Sequence, residues 1–218
     1  MEYHAVFEAF EAAARPEDAE PMKRYMRSQF EFLGLKTPLR RSLERAWLKA
    51  ARHDQGVDWG FVEACWAREE REFQYFAVDY LQAVGDRLAP RDLPKLRSLV
   101  VRKPWWDTID GLDRVVGGIV QGFPEAKQTV LEWSLDNDFW LRRIAIDHQL
   151  TLGSRTDTAL LARIIENNLG QTEFFINKAI GWALRDYSKT DAEFVRAFVE
   201  AHREAMAPLS IREASKRL

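Results

Sequence analysis

The chain has 218 residues, 46% of them hydrophobic and 30% charged, with only 11 glycines and 8 prolines; this composition supports a buried core and excludes a disordered or low-complexity protein. Cys65 is the single cysteine, which excludes an internal disulfide framework, leaves too few thiolates for a zinc or iron–sulfur site, and suits a reducing cytoplasm. The net charge of −2 argues against a nucleic-acid partner until its distribution along the chain is considered.

From the start, MEYHAVFEAFEAAA reads as an amphipathic, acidic helix with no basic start or cleavage site. No stretch has the roughly 18 apolar residues of a membrane span, so no membrane partner is expected. Between Pro21 and Arg52 stand nine basic residues (Lys23, Arg24, Arg27, Lys36, Arg40, Arg41, Arg45, Lys49, Arg52) against Glu31 and Glu44, a segment of +7 that leaves −9 for the rest. A second basic stretch runs from Arg91 to Lys103. Either can be simply a solvated helix face. FVEACWA, FQYFAVDYLQAV, LLARIIENNL and FVRAFVEAH place apolar residues at three- and four-residue spacing, predicting amphipathic helices. Breaks fall at Gly34–Pro38, Asp86–Pro94, Gly122–Pro124, Gly153–Ser154 and Ser188–Thr190, which predicts helices of roughly 10–18 residues and no strands. Cys65 fits a small buried apolar residue better than a nucleophile, because no base can be assigned to it. There is no phosphate-cradling glycine loop, metal motif or nucleotide-binding pattern, and no cofactor is expected.

Sliding the chain against itself shows a period of 34. Ala77, Gly111, Ala145 and Ala179 recur at that spacing; Val78, Leu112, Ile146 and Ile180 follow them; Asp79, Asp113 and Asp147 come next, with Gly181 breaking the series. Leu96, Val130, Ile164 and Phe198 keep the same register in the partner helices. A helix–turn–helix unit of this length cannot bury its apolar face alone, and stacking solves the problem. The expected fold is all-α, an α-solenoid of HEAT-like antiparallel helix pairs with a concave groove. It forms one domain over 1–218, with a helical N-terminal part at about 1–69, repeats at about 70–205 and a C-terminal helix at about 208–218. Tetratricopeptide repeats share the period, but their tryptophan, Leu-Gly and proline signature is missing.

The register also assigns faces. Trp140 is equivalent to position 106, Arg143 to 109, and His148 and Trp182 to 114. Positions 106, 110 and 114 form one helical stripe with 109 beside it, so Trp106, Asp110, Trp140, Arg143, His148 and Trp182 are expected along one groove. Aromatic faces and a carboxylate suit a flat cationic ligand. The same spacing suits ordinary core tryptophans and a solvated Asp110.

The segments Lys103-Pro-Trp-Trp-Asp-Thr-Ile-Asp110, Phe139-Trp-Leu-Arg-Arg-Ile-Ala145 and Glu173 to Tyr187 resemble signature segments of the AlkD family of alkylpurine DNA glycosylases. Arg24 to Pro38 and Ala207 to Ala214 do so as well, and the five lie in family order over almost the whole chain. The resemblance implies hydrolysis of the N-glycosidic bond of cationic alkylated bases, chiefly 3-methyladenine and 7-methylguanine, in duplex DNA. It assigns Trp106, Asp110 and Trp182 to catalysis and Arg143 to DNA contact. Arg185, Lys178, Lys36, Arg40 and Arg24 are further candidates for phosphate contact. A groove that embraces a duplex suggests a monomer, associated with the bacterial nucleoid in the cytoplasm.

Alkylation at N3 or N7 makes the purine a good leaving group without a general acid. A fixed carboxylate can stabilise the oxocarbenium ion formed at the sugar. The family resemblance implies excision from a base still stacked in the duplex, whereas most glycosylases flip the base into a pocket. Two rivals remain: a non-catalytic DNA-structure sensor of the same fold, against which the intact Trp106, Asp110 and Trp182 argue, and a HEAT-type protein scaffold, which leaves Asp110 and the basic segment unexplained.

Overall fold

The computed structural model describes residues 3–218. Among them are thirteen α-helices, linked by turns and short 3-10 segments, and the one β feature is an isolated bridge between Glu31 and Glu70. The all-α expectation holds. The helices run from 7 to 17 residues, shorter at the low end than the spacing predicts, because polar N-caps restart the chain often. Asp58, Asp138, Asp157, Glu173 and Asp191 each accept a backbone N–H in the first turn of a helix. No helix among the described residues is long and apolar enough to cross a membrane.

The helices group into two compact units, Met1–Leu88 and Ala89–Leu218. The first holds α1 (His4–Ala12), α2 (Pro16–Tyr25), α3 (Thr37–Ala51), α4 (Trp59–Ala67) and α5 (Arg71–Ala83). Its core is aromatic: Phe61 meets Trp47, Phe76 and Tyr80 at centroid distances of 4.5, 4.8 and 5.0 Å, and Phe7 meets Phe73 at 4.6 Å. The segment before α3 is fastened by one buried carboxylate. Glu72 accepts hydrogen bonds from the backbone N–H groups of Leu33, Gly34 and Leu35 at 2.9–3.0 Å. Gly34 has φ +87°, and a Cβ there would lie 2.1 Å from the Arg15 carbonyl oxygen, so the turn requires glycine.

The second unit holds α6 (Leu93–Val100), α7 (Trp106–Gly122), α8 (Lys127–Trp133), α9 (Phe139–Asp147), α10 (Thr158–Glu166), α11 (Phe174–Tyr187), α12 (Ala192–Ala201) and α13 (Pro208–Ala214). Here the 34-residue register is visible as packing. Gly111, Ala145 and Ala179 lie on α7, α9 and α11, which stack α7 on α9 and α9 on α11. Leu96, Val130, Ile164 and Phe198 lie buried on α6, α8, α10 and α12. The C-terminal helix ends at Ala214 and tightens into a 3-10 turn over Ser215–Arg217.

Gly181 breaks the aspartate series for a steric reason. Helix α13 crosses α11 at that point, and a Cβ at Gly181 would sit 2.4 Å from the Cβ of Glu213 and 3.1 Å from the Ser210 carbonyl oxygen. The last repeat exchanges an acidic side chain for a close helix crossing.

Candidate active site

Three stacked helices of the second unit, α7, α9 and α11, present the site. Trp106 opens α7, and Asp110 follows one turn later on the same face; both are partly exposed, Asp110 with 25% of its side chain open. Trp182 of α11 is also partly exposed and lines, with Asp110, Asp113, Arg114, Thr151, Arg185 and Asp186, an open cleft of about 270 Å³.

Arg143 of α9 is the hub. Its guanidinium donates to Asp110 at 2.8 Å and to the Phe175 carbonyl at 2.8 Å, sits 3.6 Å from Asp147, and lies 5.4 Å from the centre of the Trp182 ring. Only 2% of it is exposed. The sequence places Arg143 on the open groove, but the structure buries it, as the register itself indicates, since its equivalent Ile109 is core. Arg143 therefore holds Asp110 from behind. Burial raises the Asp110 pKa, opposed chiefly by the charge of Arg143 and its hydrogen bond. Asp113 and Asp147 are buried beside it. Burial and the neighbouring carboxylates Asp147 and Asp110 push Asp113 well above the usual range, and burial raises Asp147 to about 7.

Two other stripe residues are also core. Trp140 is buried against Trp105 and Phe175, at ring-centre distances of 5.9 and 4.8 Å. His148 is buried, its Nδ1 donates to the Ala145 carbonyl at 2.6 Å, and burial lowers its pKa to about 4, so it is a neutral structural imidazole. The stripe is really Trp106, Asp110 and Trp182, with the exposed Arg114 standing at the position equivalent to Trp182. Arg114 is a site cation that the sequence reading passed over although the register points to its position.

The sequence matches the profile of the DNA alkylation repair enzyme family over residues 6–218. The chain belongs to this family. Among solved structures it is similar to a predicted DNA alkylation repair enzyme from Enterococcus faecalis, with 33% identity, a TM-score of 0.87 and coverage of 94% of this chain and 96% of that one. No curated protein matches the chain. Membership of this family gives the protein a role in DNA alkylation repair.

The basic candidates divide in ways a linear reading could not foresee. Arg40 is buried and satisfied by Glu44 and Asp79, each at 2.8–3.0 Å, away from the exposed surface where the sequence places it. Lys178 and Arg185 both reach Glu213 at 2.8 Å, and the hydrogen bonds and charges of Lys178 and Lys216 hold the Glu213 pKa down to about 2. Lys36 and Arg24 are exposed and pair with Asp18 at 2.5 Å and Glu20 at 3.4 Å. A row of cations, Arg41, Arg45, Lys49 and Arg52, is exposed and lines one open cleft of about 700 Å³ between α3 and α5. Their spacing of three and four residues puts them on one face of α3 and its C-terminal turn.

Proposed function

We propose that the protein is a DNA N-glycosylase that excises cationic alkylated purines, 3-methyladenine and 7-methylguanine, from duplex DNA. The observation that carries this reading is a partly open carboxylate, Asp110, held by the buried Arg143 beside the accessible rings of Trp106 and Trp182. A carboxylate fixed before the reaction stabilises positive charge without reorganising, which is what departure of a cationic purine requires at the sugar. The lesion supplies the leaving group, so no general acid is needed.

At about 4 Å, in a medium of effective dielectric near 20, Asp110 contributes roughly 4 kcal/mol to the cationic transition state, about a thousandfold in rate. Trp106 and Trp182 present ring faces to the same charge, each contributing about 0.5–2 kcal/mol. The cleft beside Asp110 is open, which suits contact through the DNA backbone while the base stays stacked. Arg41, Arg45, Lys49 and Arg52 in the first unit, with Arg114 in the second, supply sequence-independent phosphate contacts. The protein works as a cytoplasmic monomer, needing nothing but damaged DNA and water.

The test is single-turnover release of 7-methylguanine or 3-methyladenine from methylated duplex DNA. Release by the wild-type protein supports the reading; binding to duplex DNA with no release of either base removes it in favour of a DNA-structure sensor.

A further inference from the structure

The site holds more acid than its mechanism uses. Asp110 and Asp147 lie 2.8 and 3.6 Å from a single guanidinium, on which Asp113 also acts through its charge, and Asp113 and Asp147 are only 2% exposed. Asp147 is the odd member. Both its oxygens are fully buried and neither makes a hydrogen bond; its strongest contact is Arg143 at 3.6 Å, on the guanidinium that donates to Asp110 at 2.8 Å.

Building on the glycosylase reading, we propose that Asp147 is a positioning residue for the reaction, competing with Asp110 for Arg143 and so setting how much negative charge Asp110 presents to the sugar. When Asp147 is protonated, the one cation is committed to Asp110 and offsets part of its charge. When Asp147 ionises, Arg143 is shared, and the cluster faces the sugar with one further negative charge. The surroundings place this change near neutral pH, since burial raises Asp147 to about 7.

The groups that face it are few. From α7 come Asp110 and Asp113, and from its own helix Arg143, with the neutral His148 next in sequence. Lys178 and Arg185 of α11 turn to Glu213; Lys127 of α8 pairs with Asp157 at the start of α10; Arg97 of α6 pairs with Asp136. Arg143 is the cation within reach.

The sign follows from the charge of the transition state. A carboxylate that ionises as pH rises strengthens the attraction to an oxocarbenium ion, so excision accelerates. A unit charge about 10 Å away, through an effective dielectric near 20, changes the rate about tenfold.

The experiment is single-turnover release from a duplex carrying one 7-methylguanine, between pH 6 and 8.5. Wild type rises about tenfold with a midpoint near 7, Asp147→Asn stays flat at the low-pH value, and Asp113→Asn keeps a rise. An Asp147→Asn profile that climbs like wild type overturns the proposal and leaves the glycosylase reading standing. Absence of release by wild type removes the glycosylase reading instead. The coupling is then read on the protein alone by carboxyl ¹³C titration: the Asp110 signal shifts near pH 7 in wild type and loses that step in Asp147→Asn. An identical Asp110 titration in both proteins also overturns the proposal.

Discussion

Each unit buries an arginine with an acid four residues on, and each arginine also grips an acid from a neighbouring helix. In the first unit Arg40 holds Glu44 and Asp79 with Tyr75 beneath it at 5.4 Å; in the second Arg143 holds Asp110 and nears Asp147 with Trp182 at 5.4 Å. The difference lies in which acid is satisfied. Glu44 accepts two hydrogen bonds from Arg40, whereas Asp147 accepts none from Arg143, which turns instead to Asp110 and the Phe175 carbonyl. The first cluster satisfies both of its acids, although Asp79 also borders an open cleft. The second leaves its cation divided, and the acid it favours is partly open to an accessible cleft.

The sharpest way to break this comparison is to neutralise the outward acid in each cluster. Asp110→Asn should lower the single-turnover rate constant about a thousandfold, while Asp79→Asn, measured at saturating protein, should change it no more than twofold. Equal losses would mean that the two clusters do not differ as described.

The second prediction concerns Gly181, where the repeat departs from its pattern. Gly181→Asp restores the aspartate series on paper but drives a side chain into α13 beside the buried Glu213. Overpacking and a second carboxylate beside Glu213 should cost about 3 kcal/mol, read as a lower urea midpoint. A midpoint equal to wild type would show that α13 yields.

Stability against pH distinguishes the clusters next. Burial, opposed by the Arg40 charge, raises Glu44 to about 8. The folded chain therefore keeps a proton that the unfolded chain loses near 4.5. Stability from this group is complete below 4.5 and falls as pH rises toward 8, by up to about 1.4 kcal/mol per unit. Asp147 adds the same sign from about 3.8 to 7. His148, lowered to about 4, acts the other way, its contribution being lost as pH falls from 6.5 to 4. Unfolding free energies between pH 6.5 and 8, above the His148 window, should decline with pH in wild type and decline less in Glu44→Gln. A parallel decline would place the proton elsewhere.

Much of this was legible in the sequence, for a physical reason. A stacked repeat writes its packing into a fixed period, so Leu96, Val130, Ile164 and Phe198 announced a buried row, and Trp106 and Asp110, one turn apart, announced a shared face. Depth was not legible. Periodicity gives direction around a helix but not how far a neighbouring helix covers it, so spacing places Trp140, Arg143 and His148 on the groove although they are core. Charge was harder still, because Arg40 and Arg41 are adjacent in sequence, yet one is locked inside and the other lines the α3 cleft. One carboxylate, Glu213, lies 35 and 28 residues from Lys178 and Arg185 and pairs with both, and no linear reading brings it to them.

That last difference yields the smallest effect. A cation that meets a phosphate releases counterions, so each lost contact reduces the slope of log binding constant against log salt concentration by about 0.9 for duplex DNA. The exposed Arg45 and Lys49 should each show that full reduction when replaced by alanine. Lys178 and Arg185 already neutralise a buried carboxylate, Glu213, so their exchange with a phosphate would leave that carboxylate with less compensation. Lys178→Ala and Arg185→Ala should therefore reduce the slope by less than half as much while lowering thermal stability. Slopes measured on undamaged duplex with all four variants decide the point: equal reductions would move DNA contact onto α11, and a reduction confined to Arg45 and Lys49 keeps it on α3.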